Sequence, residues 1–250
     1  FMEFILFFGS FLAGLIGASS GLGGGVILMP LMVIFFGINP LNAIGASLLG
    51  VIVTSLGGSV HFLKKELVDL KTTALLETAT VPGAIIGAFL ATMIPEGILL
   101  VIFGIILLLS VIQKKAKTKD SHVKYPKHKT LGWIIMLIAG LFSGLLGMGS
   151  GALKVVAMDR VMKMPFKIST ATSTFMIGVT AAASAATFYH LGYILPKITT
   201  PLVPGVLLGS LVGAKLVTTI KIKSLRLIFT VVIILLSAEL IFEGVQRLLS

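Results

Sequence analysis

The chain has 250 residues, 56% of them hydrophobic and only 12% charged, with a mean hydropathy of +1.11. Soluble domains carry about 25% charged residues, so a water-soluble globular protein is excluded. The net charge is +11, but the basic residues lie between apolar runs and do not interleave with aromatics, which points to membrane orientation and away from nucleic acid. There is no cysteine, which excludes a disulfide framework, thiolate metal sites and a cysteine-based sulfur relay.

Ten apolar segments are predicted. The first spans about Phe4 to Ser20; the opening Phe1-Met2-Glu3-Phe4 lacks a basic n-region and does not read as a cleaved signal peptide. The others run over Val26–Phe36, Ala43–Leu63, Thr72–Met93, Gly97–Ile112, Leu131–Leu146, Ala152–Met162, Ile168–Tyr189, Thr199–Thr219 and Leu225–Gly244. Most are long enough for a bilayer core, which takes about 20 apolar residues. The second and seventh are not. At 1.5 Å per residue each covers roughly 17 Å, about half a core, so they read as half-helices.

The chain repeats itself. A shift of 126 residues lays 13–62 on 139–188 without a gap, and Ala13, Gly14, Leu15, Gly21, Gly23, Gly25, Met32, Ser47, Val53, Thr54 and Phe62 recur. Val81-Pro82-Gly83 and Gly87 return as Val203-Pro204-Gly205 and Gly209. The expected organisation is a first repeat at 1–112, a basic linker at 113–130 and a second repeat at 131–250. Placing the linker in the cytoplasm also puts 64–71, 159–167 and 220–226 inside, and these four stretches hold sixteen of the twenty Lys and Arg. Five segments is an odd number, so the second unit starts on the opposite side from the first. The expected fold is an all-α, multi-pass protein of the cell inner membrane. It has two inverted repeats of five segments, each opened by a glycine-broken hairpin of shortened helices, with both termini outside.

Each half-helix is preceded by a glycine-rich break, Gly21-Leu22-Gly23-Gly24-Gly25 and Gly147-Met148-Gly149-Ser150-Gly151. Glycine permits tight and left-handed backbone, and irregular backbone at membrane depth survives only when buried or lining a cavity. Helix N-termini offer N–H groups and partial positive charge. Two such breaks meeting at the midplane from opposite faces would cradle a small anion; the alternative is that the glycines serve tight packing alone. Lys154 falls just after the second break, where the first copy has Leu28. An intramembrane lysine is functional by default, here as a point charge for the anion, unless it snorkels to the aqueous edge. Ser47, Thr54, Ser173 and Thr180 lie on matching small and polar faces of segments three and eight, and Ser150 and Thr172 are expected near the second break. All six are candidate anion ligands. His61, Glu77 and Glu239 are candidates for proton coupling, with an interfacial position as the alternative for each. The Gly-x-x-x-Gly faces of segments four and nine, at Gly83–Gly87 and Gly205–Gly209–Gly213, read as close-packing scaffold.

No Walker A motif, H-E-x-x-H, G-x-S-x-G or His/carboxylate cluster is present in the sequence. The expectation is therefore not an enzyme or an ATP-driven pump but a secondary transporter, with no cofactor or metal. Its partners would be a small anion, the lipid bilayer and protons as the coupling ion. A passive anion channel and a membrane anchor for a cytoplasmic enzyme are the alternatives.

The stretches Gly21-Leu22-Gly23-Gly24-Gly25-Val26-Ile27-Leu28-Met29-Pro30 and Gly147-Met148-Gly149-Ser150-Gly151, with Ala43-Ile44-Gly45-Ala46-Ser47 and Ser169-Thr170-Ala171-Thr172-Ser173, resemble motifs of the sulfite exporter TauE/SafE family. That resemblance covers nearly the whole chain and implies transport of a sulfur-containing anion such as sulfite, thiosulfate or a small organosulfonate. Two positions depart from internal symmetry: Ser150 stands where the first break has Gly24, and Val156 where the first copy has Pro30. With Lys154 they make the two halves chemically unequal.

Overall fold

The computed structural model describes residues 2–20, 24–112, 128–216 and 222–249, and among these no strand occurs. The helices are α1 (Met2–Ser20), α2 (Gly25–Phe36), α3 (Pro40–Lys64), α4 (Leu70–Met93), α5 (Glu96–Ile112), α6 (Lys129–Leu146), α7 (Gly151–Val156), α8 (Phe166–His190), α9 (Pro196–Leu216) and α10 (Ile222–Leu249). By length and composition α3, α4, α6 and α8 can each cross a bilayer. Large apolar side chains such as Phe4, Phe8, Leu12, Leu211, Leu235 and Phe242 cover the outward faces. The protein is an all-α, multi-pass membrane protein.

Local chemistry sets the helix ends. Asn39 caps α3, its Oδ1 accepting from Leu41 N at 3.0 Å, with Pro40 pre-set for the first turn. Asp69 caps α4, accepting from Thr72 N at 3.1 Å. Gly37, at φ 59°, closes α2 in a left-handed C-cap. The second half-helix differs from expectation. Only six residues, Gly151–Val156, are α-helical, and Ala157–Val161 widen into a π-turn. The two residues 129 and 130 expected in the linker belong to α6. The rest of the linker, 113–127, and residues 217–219 of the expected ninth segment lie outside the described residues.

The most extensive helix pairs are α1 with α9 and α4 with α6; α5 also pairs with α10, and α3 with α8. Glycine makes the crossings close. A Cβ at Gly83 or Gly87 would strike the carbonyls of Leu137 or Leu141 on α6, and one at Gly205, Gly209 or Gly213 would strike those of Phe7, Phe11 or Leu15 on α1. This is backbone-to-backbone contact, which drives helix association in lipid, and the small-residue faces of α4 and α9 serve as the scaffold expected of them. A large apolar core surrounds α2 and α3. A smaller one, rich in methionine, gathers Met136, Met158, Met162, Met164 and Met176 around the π-turn.

Candidate functional site

The two glycine breaks lie against each other. A methyl group at Gly25 would collide with the Gly147 carbonyl and with Val51 on α3. On the first side, Gly24 N–H donates to Thr54 Oγ1 at 3.3 Å, and that hydroxyl donates to Val51 O at 3.0 Å. Thr54 thus ties the start of α2 to α3. Gly21 and Gly23 lie outside the described residues.

The second break is defined throughout. Gly147, Gly149 and Ser150 take φ of 69°, 71° and 45°, all in the left-handed region. Ser150 is held there although it carries a Cβ, and its Oγ donates to Ala139 O at 2.5 Å. Ser47 Oγ lies 3.1 Å from Gly147 O, and Ser173 Oγ 3.0 Å from Gly151 O. The repeat-equivalent serines therefore both clamp the same break, one carbonyl at each end. Among the described residues no protein acceptor meets the N–H groups of Met148, Gly149 and Ser150. Such N–H groups on left-handed backbone form the kind of concavity that binds anions. Gly149→Ala is expected to cost about 1–2 kcal/mol for left-handed backbone, besides crowding Ile177 and Val51. A lower melting temperature together with slower transport is the expected outcome.

One turn further on, Lys154 is completely buried. Its Nζ donates to Thr180 Oγ1 at 2.6 Å and to Met176 O at 3.3 Å, both on α8. The Thr180 hydroxyl in turn stands 3.3 and 3.4 Å from the two carboxylate oxygens of Glu77 on α4. Thr80 Oγ1 donates to the same carboxylate at 2.5 Å. A buried chain thus runs from α7 across α8 to α4. The equivalent threonines have diverged in task, since Thr54 holds a backbone N–H and Thr180 holds an ammonium.

The other candidates are placed apart. Thr172, expected near the second break, instead faces the α3–α4 loop. Its hydroxyl accepts from Asp69 N at 3.1 Å, because one residue along a helix turns the side chain by about 100° from Ser173. Glu239 is exposed on α10, which packs on α5 and α2. His61 lies in the last turn of α3, and its side chain is outside the description. Two polar features escaped the sequence reading. Thr80 is one, and its position three residues after Glu77 on a helix was the available signal. The other is a cluster in which Arg247 pairs with Glu96 at 2.9 Å and Glu243 at 2.6 Å, while Asn39 bonds Glu96. It joins the starts of α3 and α5 to the end of α10.

Comparison with known proteins gives a consistent result. The chain is 28% identical over 260 residues to the probable membrane transporter protein YunE of Bacillus subtilis (strain 168), covering 94% of this chain and 95% of that one. A Sinorhizobium protein described as a probable membrane transporter is 26% identical, with 97% and 94% covered. One from Haemophilus influenzae is 25% identical, with 96% and 94% covered. No solved structure matches the chain. The family model described as sulfite exporter TauE/SafE matches residues 6–240. The chain therefore belongs to the sulfite exporter TauE/SafE family, and it is a multi-pass membrane transporter rather than an enzyme.

Proposed function

We propose that the protein moves a small sulfur-containing anion, of the class of sulfite, thiosulfate or an organosulfonate, across the membrane by alternating access coupled to an ion gradient. The observation that carries this reading is the meeting of the two glycine breaks at Gly25 and Gly147, with the buried ammonium of Lys154 one turn beyond the second break. N–H groups without a protein acceptor at Met148, Gly149 and Ser150, followed within one helical turn of sequence by a buried lysine, suit an anionic cargo better than a neutral or cationic one. The Met148, Gly149 and Ser150 N–H groups and Lys154 would hold the anion's oxygens, while Ser47, Thr54, Ser173 and Thr180 position the backbone and the ammonium that bind it. The family's description as sulfite exporter supports the sulfur oxyanion class.

The alternating-access part of the proposal rests on the helix pairing. The pairing of α1 with α9 and of α4 with α6 supports reading residues 1–112 and 131–250 as two like units, and the bias of Lys and Arg toward 64–71, 113–130, 159–167 and 220–226 supports an inverted arrangement with these stretches in the cytoplasm. Rocking of one unit against the other about the paired breaks would expose the anion to each side in turn.

Flux into proteoliposomes tests the reading. Sulfite, thiosulfate, sulfoacetate, sulfate and acetate are compared, with and without a pH gradient. The expected result is saturable flux of one or more of the sulfur anions with acetate excluded. Unitary currents, or flux that never saturates, would overturn the carrier mechanism, and failure of every sulfur anion would overturn the substrate class.

A further inference from the structure

The proposed anion site already contains an anion of its own. Lys154 is buried completely, and a buried cation demands a negative partner. The nearby carboxylate is Glu77, yet it does not touch the ammonium. Among the described residues the direct ion pairs are those of Arg247 with Glu96 and Glu243. Lys154 and Glu77 communicate through one hydroxyl, that of Thr180.

The distances show how loosely that bridge holds the carboxylate. Thr180 has one hydroxyl proton, and its nearest acceptor is Met176 O at 2.8 Å, not Glu77 at 3.3 and 3.4 Å. Glu77 is held more tightly by Thr80 on its own helix, at 2.5 Å. The carboxylate thus has a resting place on α4 that does not depend on Lys154. The ammonium, for its part, has three N–H donors and spends two, on Thr180 and Met176 O. One donor remains for an incoming oxygen.

We infer that Glu77 is a resident competitor for Lys154: it neutralises the ammonium when the site is empty, and the transported anion displaces it on binding. This inference rests on the anion-carrier reading and adds to it the residue that sets affinity and release. A directly paired buried ion pair would be expensive to break, because each ion separately faces a desolvation cost of several kcal/mol. A hydroxyl-bridged pair avoids that: the substrate's charge replaces the carboxylate's at the ammonium, and the carboxylate keeps its bond from Thr80. On release the exchange reverses, so Lys154 is never left without an anion. The elements also fit such an exchange. Lys154 lies on α7, Thr180 on α8 and Glu77 on α4, so the bridge joins residues of 131–250 to one of 1–112.

The consequence has an unusual sign. Removing a competitor tightens binding, whereas removing a structural partner weakens it. Thiosulfate is titrated into the purified full-length protein by calorimetry at neutral pH, and its flux is measured in proteoliposomes. Glu77→Gln is expected to bind thiosulfate about tenfold more tightly and to release it more slowly, so that the maximal flux falls while the half-saturating concentration also falls. Should that variant fail to fold, Glu77→Met, which also removes the charge at similar volume, gives the same reading. Lys154→Met/Glu77→Met should bind no thiosulfate. Unchanged or weaker binding in both single Glu77 variants, with the wild type binding normally, would overturn the exchange and leave the anion carrier standing. So would tightening that persists without Lys154. If the wild-type protein itself neither binds nor moves any sulfur oxyanion, the carrier reading falls first and takes the exchange with it.

Discussion

Replacing Lys154 by methionine should reduce thiosulfate flux about 100-fold, because truncating one partner of a buried, hydrogen-bonded charge pair costs about 2–5 kcal/mol and each 1.4 kcal/mol is tenfold. Methionine keeps the length and apolar bulk of the lysine stem, so α7 and the surrounding Met158 and Met176 packing are retained. What is lost is, among the described residues, the one completely buried cation. A second effect accompanies the first. Without the ammonium, the half-buried Glu77 carboxylate has lost its nearby countercharge and keeps only the bond from Thr80. The single variant should therefore melt lower than wild type. Lys154→Met/Glu77→Met should regain that stability without regaining transport, which separates the lysine's work on the anion from its work on the fold. Lys117→Ala, in the basic linker, should change flux less than twofold. Equal, small effects from Lys154→Met and Lys117→Ala would sink the assignment of Lys154 to the anion.

Much of this architecture is legible in the sequence because the bilayer restricts the choices. Apolar length alone locates the helices, and the expected starts at Ala43 and Thr72 fall close to the observed starts at Pro40 and Leu70. The internal shift of 126 finds both glycine breaks, and the matching Val-Pro-Gly stretches at an offset of 122 find the scaffold faces of α4 and α9. What periodicity does not carry is partnership. Ser173 and Thr172 are neighbours on one helix, yet the first clamps Gly151 O and the second holds the α3–α4 loop. Only the position of other helices decides between those roles. The Lys154–Thr180–Glu77 chain joins three helices distant in sequence, and no spacing rule links 77, 154 and 180. Each residue could be singled out as an intramembrane polar group; their meeting could not. The π-turn at Ala157–Val161 is equally silent, since a one-residue widening of a helix needs no special residue type.

Leucine at Gly87 or at Gly209 should prevent the protein from folding into a monodisperse species, and the two substitutions should do so to the same degree. The positions are matched in the sequence pattern, and each meets the backbone of a neighbouring helix: Gly87 lies on the Leu141 carbonyl of α6, Gly209 on the Phe11 carbonyl of α1. Backbone cannot rotate aside as a flexible side chain can, so the helices must separate. Inserting even small groups into a packed core costs about 1–3 kcal/mol, and leucine at a backbone contact exceeds that range. In lipid the loss is not offset by burying leucine, because the acyl chains are as apolar as the helix it leaves. Alanine at either site should give a folded protein with a lowered melting temperature. Gly57→Leu is the informative control. It also lies in a long membrane helix, but a Cβ there meets nothing nearer than Ser210 Oγ at 3.8 Å. Its yield and melting temperature should stay close to wild type, as measured by fluorescence-detected size exclusion and thermal unfolding in detergent. A well-folded Gly87→Leu beside a lost Gly209→Leu would break the equivalence of the two crossings, and with it the packing argument for two like units working about the paired breaks.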